Sequence, residues 1–158
     1  MTADEEIQLV TFRIGAHVFA FSVLEVERVL RYEAPAPLPD APDFLDGMLQ
    51  QGGDVVPVID LRRRLNVEAA TREETRIVLV DWDDGKVGLV VDEVLELLKI
   101  PVSEVTTPPA IVQGLAAEFV NGIVARSGST IIVFALQKLL TSKERLELAA
   151  TTGGTSDA

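Results

Sequence analysis

Apolar residues along this chain come in short blocks separated by turn residues. "IQLVTFRI" (7–14) is followed by "GAH" and then "HVFAFSV" (17–23); "TRIVLVDW" (75–82) is followed by "DDGK" and "KVGLVV" (86–91). The blocks are rich in β-branched and aromatic residues and predict strands. Asp84-Gly85 is a strong hairpin signal, and "ARSGSTIIVFA" (125–135) predicts a second hairpin turning at Ser127-Gly128. "SVLEVERVL" (22–30) fits two patterns. Ser22 with Glu25 makes a capping box for a short helical turn, whereas Val26, Arg28 and Leu30 alternate as on a strand. The reading adopted is one helical turn and then a strand. Pro57 cannot donate to a ladder, so its strand is expected at an edge or with a bulge. "APAPLPDAPDF" (34–44) predicts an extended, proline-rich connection. Near the C-terminus, Thr141 and Glu144 form a second capping box that opens a helix over "TSKERLELAA".

The pattern repeats. Ile7–Tyr32 aligns without a gap on Thr75–Ile100. Leu9, Val10 and Phe12 then meet Ile77, Val78 and Val80, and Val26, Val29 and Leu30 meet Val94, Leu97 and Leu98. A second block, Gly47–Leu65, aligns on Gly122–Leu140 and matches Gly47 to Gly122, Gly53 to Gly128 and Leu61 to Leu136. Two blocks in the same order divide the chain into similar halves, about 7–70 and 71–140. Residues 1–6 and 149–158 are expected as tails, the latter disordered. Short strands at this spacing suggest small barrels.

Composition narrows the function. The 158 residues are 47% hydrophobic, as in a globular chain, and contain no cysteine. Disulfides, thiolate metal sites and cysteine nucleophiles are thereby excluded. The net charge of -11 repels phosphate backbones, so nucleic acid is not an expected partner. The acidic N-terminus does not read as a signal peptide and no apolar run approaches a membrane span, so the chain is expected to be cytoplasmic without direct membrane insertion.

Candidate chemistry is sparse. His17 is the only histidine and stands beside a predicted turn, where a surface role is expected. Asp81, Asp83 and Asp84 surround Trp82 but lack the calcium-loop spacing, so no metal site is expected. No phosphate-binding glycine loop or nucleophile elbow occurs. Asp60, Asp92 and Glu93 have no evident base or nucleophile beside them, so no catalytic residue is assigned and no cofactor is expected. Arg62, Arg63 and Arg64 suit either an anion or pairing with local acids, the second being the reading adopted. A β-rich chain of this kind reads as a binding module rather than an enzyme.

Three stretches carry a family resemblance: "GGDVVPVIDLRRRL" (52–65), "VGLVVDEVLELLKIP" (87–101) and "VNGIVARSGSTIIVFALQKLL" (120–140). Together they resemble the CheW-like chemotaxis coupling proteins, most specifically in the run at Val56–Arg62, in Val91–Val94 and in Leu136–Leu140. The resemblance covers about Ile7 to Leu146, within a single CheW-like domain placed at 7–148. It implies a mainly β fold of two small five-stranded SH3-like barrels with short helices and a C-terminal helix, with strands free to cross between barrels. It implies a non-catalytic adaptor that couples a chemoreceptor's cytoplasmic tip to the regulatory domain of a CheA-type histidine kinase. The receptor groove would fall on Val23, Val26 and Val29, with plain barrel core as the competing role. The kinase surface would fall on Gly47, Met48, Leu49, Gly52 and Gly53.

One departure stands out. The family commonly reads Asn-Leu-Arg-Gly where this chain has Gln50-Gln51-Gly52-Gly53, so the family's arginine falls on Gly52. Gly53 is expected to hold a positive φ and Gly52 to accept a side chain. A CheW-like scaffold of a divergent chemosensory pathway with an altered kinase contact is therefore an alternative. A small peptide- or ligand-binding barrel, and a hydrolase using Asp60 with Asp92 or Glu93, are the others.

Overall fold

The computed structural model describes residues 5–65, 67–68, 70–82, 85–107, 120–126 and 128–136. The strands in order are β1 (Glu6–Ile14), β2 (His17–Ser22), β3 (Val26–Arg31), β4 (Leu45–Gln51) and β5 (Asp54–Asp60), then β6 (Arg76–Trp82), β7 (Gly85–Val91), β8 (Glu93–Pro101), β9 (Val120–Arg126) and β10 (Ser129–Phe134). One helical turn, α1 (Leu61–Arg64), follows β5. The fold is mainly β, in two five-stranded sheets of order β8-β1-β2-β10-β9 and β3-β6-β7-β5-β4. The first is called sheet A and the second sheet B.

The two sheets are wired alike. β1 with β2 matches β6 with β7, β1 with β8 matches β6 with β3, and β10 with β9 matches β5 with β4, all antiparallel. The parallel pairs β10 with β2 and β5 with β7 match as well. Each sheet takes two strands from one half of the sequence and three from the other. Among the described residues the chain crosses between sheets twice, from β2 to β3 through the 3-10 turn Val23–Glu25, and from β7 to β8 through Asp92 alone.

Sheet faces explain the nearly continuous apolar blocks. Phe12, Phe19, Phe21 and Phe134 of sheet A and Ile59, Val78, Val80, Leu89 and Val91 of sheet B form one cluster shared by both sheets. The opposite face of sheet A buries Leu9, Ala20, Ile100, Val124, Ile131 and Val133. That of sheet B buries Leu49, Val58, Ile77 and Val90. Strands buried on both faces lose the polar-apolar alternation of half-exposed ones.

Local expectations are met in part. Ser22 Oγ accepts from Leu24 N at 3.3 Å, and the Glu25 carboxylate accepts from the Ser22 backbone, so the capping box forms and the strand follows it. Pro57 is a correction: β5 lies between β7 and β4, inside the sheet. The missing donor is tolerated because Pro57 faces Met48, whose own N–H and C=O bond to Ala36 on the other side, and pairing with β7 begins only at Val58. The connection 34–44 is extended but not free, since Ala36 forms that bridge to Met48. Asp83, Asp84, Ser127 and the expected C-terminal helix lie outside the described residues.

Candidate functional site

The Asp-Leu-Arg element builds a buried ionic cluster. Asp60 ends β5 and caps α1, accepting from Arg62 N at 3.0 Å. The turn brings the Arg62 side chain back onto the same carboxylate, with Nε to Oδ1 at 3.0 Å and Nη2 to Oδ2 at 3.1 Å. Nη1 reaches the Ala70 carbonyl at 3.0 Å and Asp92 Oδ1 at 3.2 Å. Arg62 is only 2% exposed. Burial opposes its charge, but the bonds to Asp60 and Asp92 prevail and raise its pKa above the ordinary value. The strand-end arginine pairs with acids, as expected.

The cluster continues outward. Asp92 Oδ2 accepts from Gly15 N at 2.7 Å and lies 3.8 Å from Arg13 Nη1, while Arg13 Nε reaches Glu93 at 3.4 Å. On the other side Arg63 Nη2 pairs with Asp46 at 3.2 Å, and the Tyr32 hydroxyl donates to Asp46 at 3.3 Å. Burial and then the Asp46 charge push the tyrosine pKa up. Asp60 and Asp92 are thus brought together, but by a guanidinium that occupies both carboxylates. A hydrolase would need one of them free to move a proton.

The candidate receptor residues differ in exposure. Val23 and Val26 are half-buried, and Val26 packs against the central cluster. Val29 is 39% exposed. Leu24, which sequence reasoning did not single out, is 89% exposed at the first crossover. Its position in the repeat is the one Asp92 holds in the second half. Leu95 and Leu97 on β8 are exposed as well.

On the candidate kinase side, Met48 and Leu49 are buried. Gly47 is a packing glycine, since a Cβ there would stand 2.5 Å from the Ala36 carbonyl oxygen. The exposed part is the hairpin tip: Gln51 pairs with Asp54, and Gly52 and Gly53 between them take φ of 58° and 89°. Both loop residues are left-handed, as a type I′ turn requires. This corrects the expectation that Gly53 alone carries positive φ. A side chain at Gly52 meets no atom within 4 Å but is strained. Val55, beside the tip, is 50% exposed and was not anticipated. His17 is exposed at the start of β2, edge-on to Phe19. Among the described residues no three acids or histidines gather as a metal site.

The sequence matches the CheW-like domain family over residues 8–144. The chain belongs to this family. Relatives include the chemotaxis protein CheW of Treponema pallidum, 29% identical over 92% of this chain and 89% of that protein. Protein FrzA of Myxococcus xanthus is 35% identical over 90% of this chain and 91% of its own. The scaffolding protein TtCheW of Thermoanaerobacter tengcongensis superposes with a TM-score of 0.82 at 26% identity, covering 89% of this chain and 96% of that one. The two five-stranded sheets are therefore the paired SH3-like barrels of the CheW fold. Within that family the chain is a chemotaxis adaptor, a role consistent with acids locked in ion pairs. Among the described residues no helix is long and apolar enough to cross a membrane.

Proposed function

We propose that this protein couples the cytoplasmic tip of a chemoreceptor to the regulatory domain of a CheA-type histidine kinase, in the cytoplasm and without catalysis of its own. The observation that carries this reading is the placement of Leu24 and Val29: exposed aliphatic side chains at and just beyond the crossover where the chain passes between sheets. An apolar receptor helix buries such side chains in a helix-in-groove contact, with Val23 and Val26 as the floor. The kinase surface on this reading is the Gln51–Asp54 hairpin tip with Val55, held in place by Gly47, Met48 and Leu49 beneath it. The test is titration of wild type and Val29→Glu against a receptor tip fragment and a CheA regulatory domain. Val29→Glu is expected to weaken receptor binding at least tenfold and leave kinase binding unchanged. Equal receptor affinities would remove β3 from the groove.

A second reading rests on Gly52. A glycine there cannot make the charge-assisted contacts an arginine makes. The scaffold then serves a divergent pathway, and wild type fails to bind a conventional CheA regulatory domain while retaining the receptor fragment. For a small-ligand barrel the relevant feature is a half-open depression of about 370 Å³ lined by Thr11, Val18, Leu98, Arg126 and Ile131 among others. Its opening to solvent fits an enclosed ligand poorly.

A further inference from the structure

Among the described residues two chain segments join the sheets, and they are held very differently. The first crossover, Val23–Glu25, is a single 3-10 turn with Leu24 projecting into solvent. The second is one residue, Asp92, and its side chain is held from both sides. Oδ1 accepts from Arg62, which α1 carries at the end of sheet B's β5. Oδ2 accepts from Gly15 in the β1–β2 turn of sheet A, and Asp92 N donates to the Arg13 carbonyl of β1 at 3.0 Å. Arg62 is itself fixed by the fork onto Asp60.

From this we propose that Asp92, clamped by Arg62, is a positioning residue that sets the angle between the two barrels and so shapes the receptor surface. The consequence rests on the function proposed above. The receptor surface sits on the other crossover and depends on how the sheets are oriented. The Gln51–Asp54 tip lies wholly within sheet B and does not. Loosening the clamp therefore weakens one partner selectively, which a general loss of stability does not.

Two variants open the clamp. Asp92→Asn keeps an oxygen for Gly15 N but removes the charge that faces Arg62. Arg62→Lys keeps the charge but removes the fork. The chain has no cysteine, so spin labels at Asp54→Cys and Ser129→Cys, exposed and one on each sheet, report the inter-barrel distance by pulsed electron resonance. Both variants are expected to broaden the distance distribution about twofold. In the unlabelled proteins the receptor-fragment Kd should rise five- to tenfold and the kinase-domain Kd should stay within twofold. An unchanged distribution overturns the inference, as does parallel weakening of both partners, or failure of both variants to fold, which would give the pair a purely structural role. If wild type binds neither partner, the functional reading fails, while the distance measurement still decides whether Asp92 sets the angle.

Discussion

Phe19 and Phe134, from opposite ends of the chain, stack face to face with ring centroids 4.8 Å apart and planes 3° from parallel. Phe12 joins them, at 6.0 Å from Phe19 and 6.2 Å from Phe134. The stack fixes β10 beside β2 and lies in the cluster shared by both sheets. Phe134→Ala is expected to cost about 3–5 kcal/mol, because the cavity would open where two sheets must close together. Urea unfolding measures it, and a loss below about 1 kcal/mol would show that the cluster collapses around the gap.

Arg62→Ala would strip the buried Asp60 of its forked partner, leaving it only Arg63 at 3.9 Å, and leave the half-buried Asp92 only Arg13 at 3.8 Å. The expected cost is about 3–5 kcal/mol, most of it the penalty of uncompensated charge rather than the worth of the pair. A double-mutant cycle with Asp60→Ala separates the two contributions: the double variant should be less unstable than the sum of the single ones.

The two hairpin-side glycines should respond oppositely to substitution. Gly47→Ala drives a Cβ onto the Ala36 carbonyl and the Pro35 ring, so β4 must shift and the protein should lose several kcal/mol, on the order of other overpacked sites. Gly52→Arg has open space and pays only for left-handed backbone, about 1 kcal/mol. Thermal unfolding of the pair checks the order; a Gly52→Arg protein less stable than Gly47→Ala would contradict it.

Glu25 gives a pH prediction. Burial raises its pKa, opposed by the bond from the Ser22 backbone. A raised acid binds its proton more tightly in the folded state. Its ionisation therefore destabilises the protein as pH rises through the folded value, and stability returns as pH falls back through it. Glu25→Gln removes that ionisation. The variant should be the more stable at neutral pH, with the difference shrinking on acidification. Chemical unfolding across the acidic to neutral range measures it, and a constant difference would rule the ionisation out as its source.

Local chemistry made much of the fold readable. The Ser22/Glu25 box, the Gly15 turn and the repeated blocks use contacts between near neighbours. Four features escaped for physical reasons. The partner of Arg62 on the far side, Asp92, comes from the junction of two strands thirty residues on, and no spacing rule joins them. "VGLVVDEVLELLKI" reads as one apolar stretch, yet the chain changes sheet at its single central aspartate. Val26 and Val29 look alike in sequence, and a register shift between Val26 and Arg28 sets them opposite Val80 and Val78 on one face of sheet B, yet Val26 packs on the core while Val29 is 39% exposed, a difference no periodicity rule gives. Pro57 was misplaced because the edge rule describes whole strands, while what matters is which side of one residue needs a donor.

The exchange of strands between halves has a topological cost. A fragment ending near residue 70 holds two strands of one barrel and three of the other, and completes neither. It cannot be trimmed to a minimal barrel by cutting the sequence at its own repeat boundary. Two copies of such a fragment, however, carry all ten strand positions and can pair as the halves do here. The protein has the connectivity of a strand-swapped dimer written as one chain: the five strands of sheet B are consecutive, β3 to β7, and a single barrel is cut out there rather than at the repeat boundary, while sheet A would need circular rearrangement to stand alone.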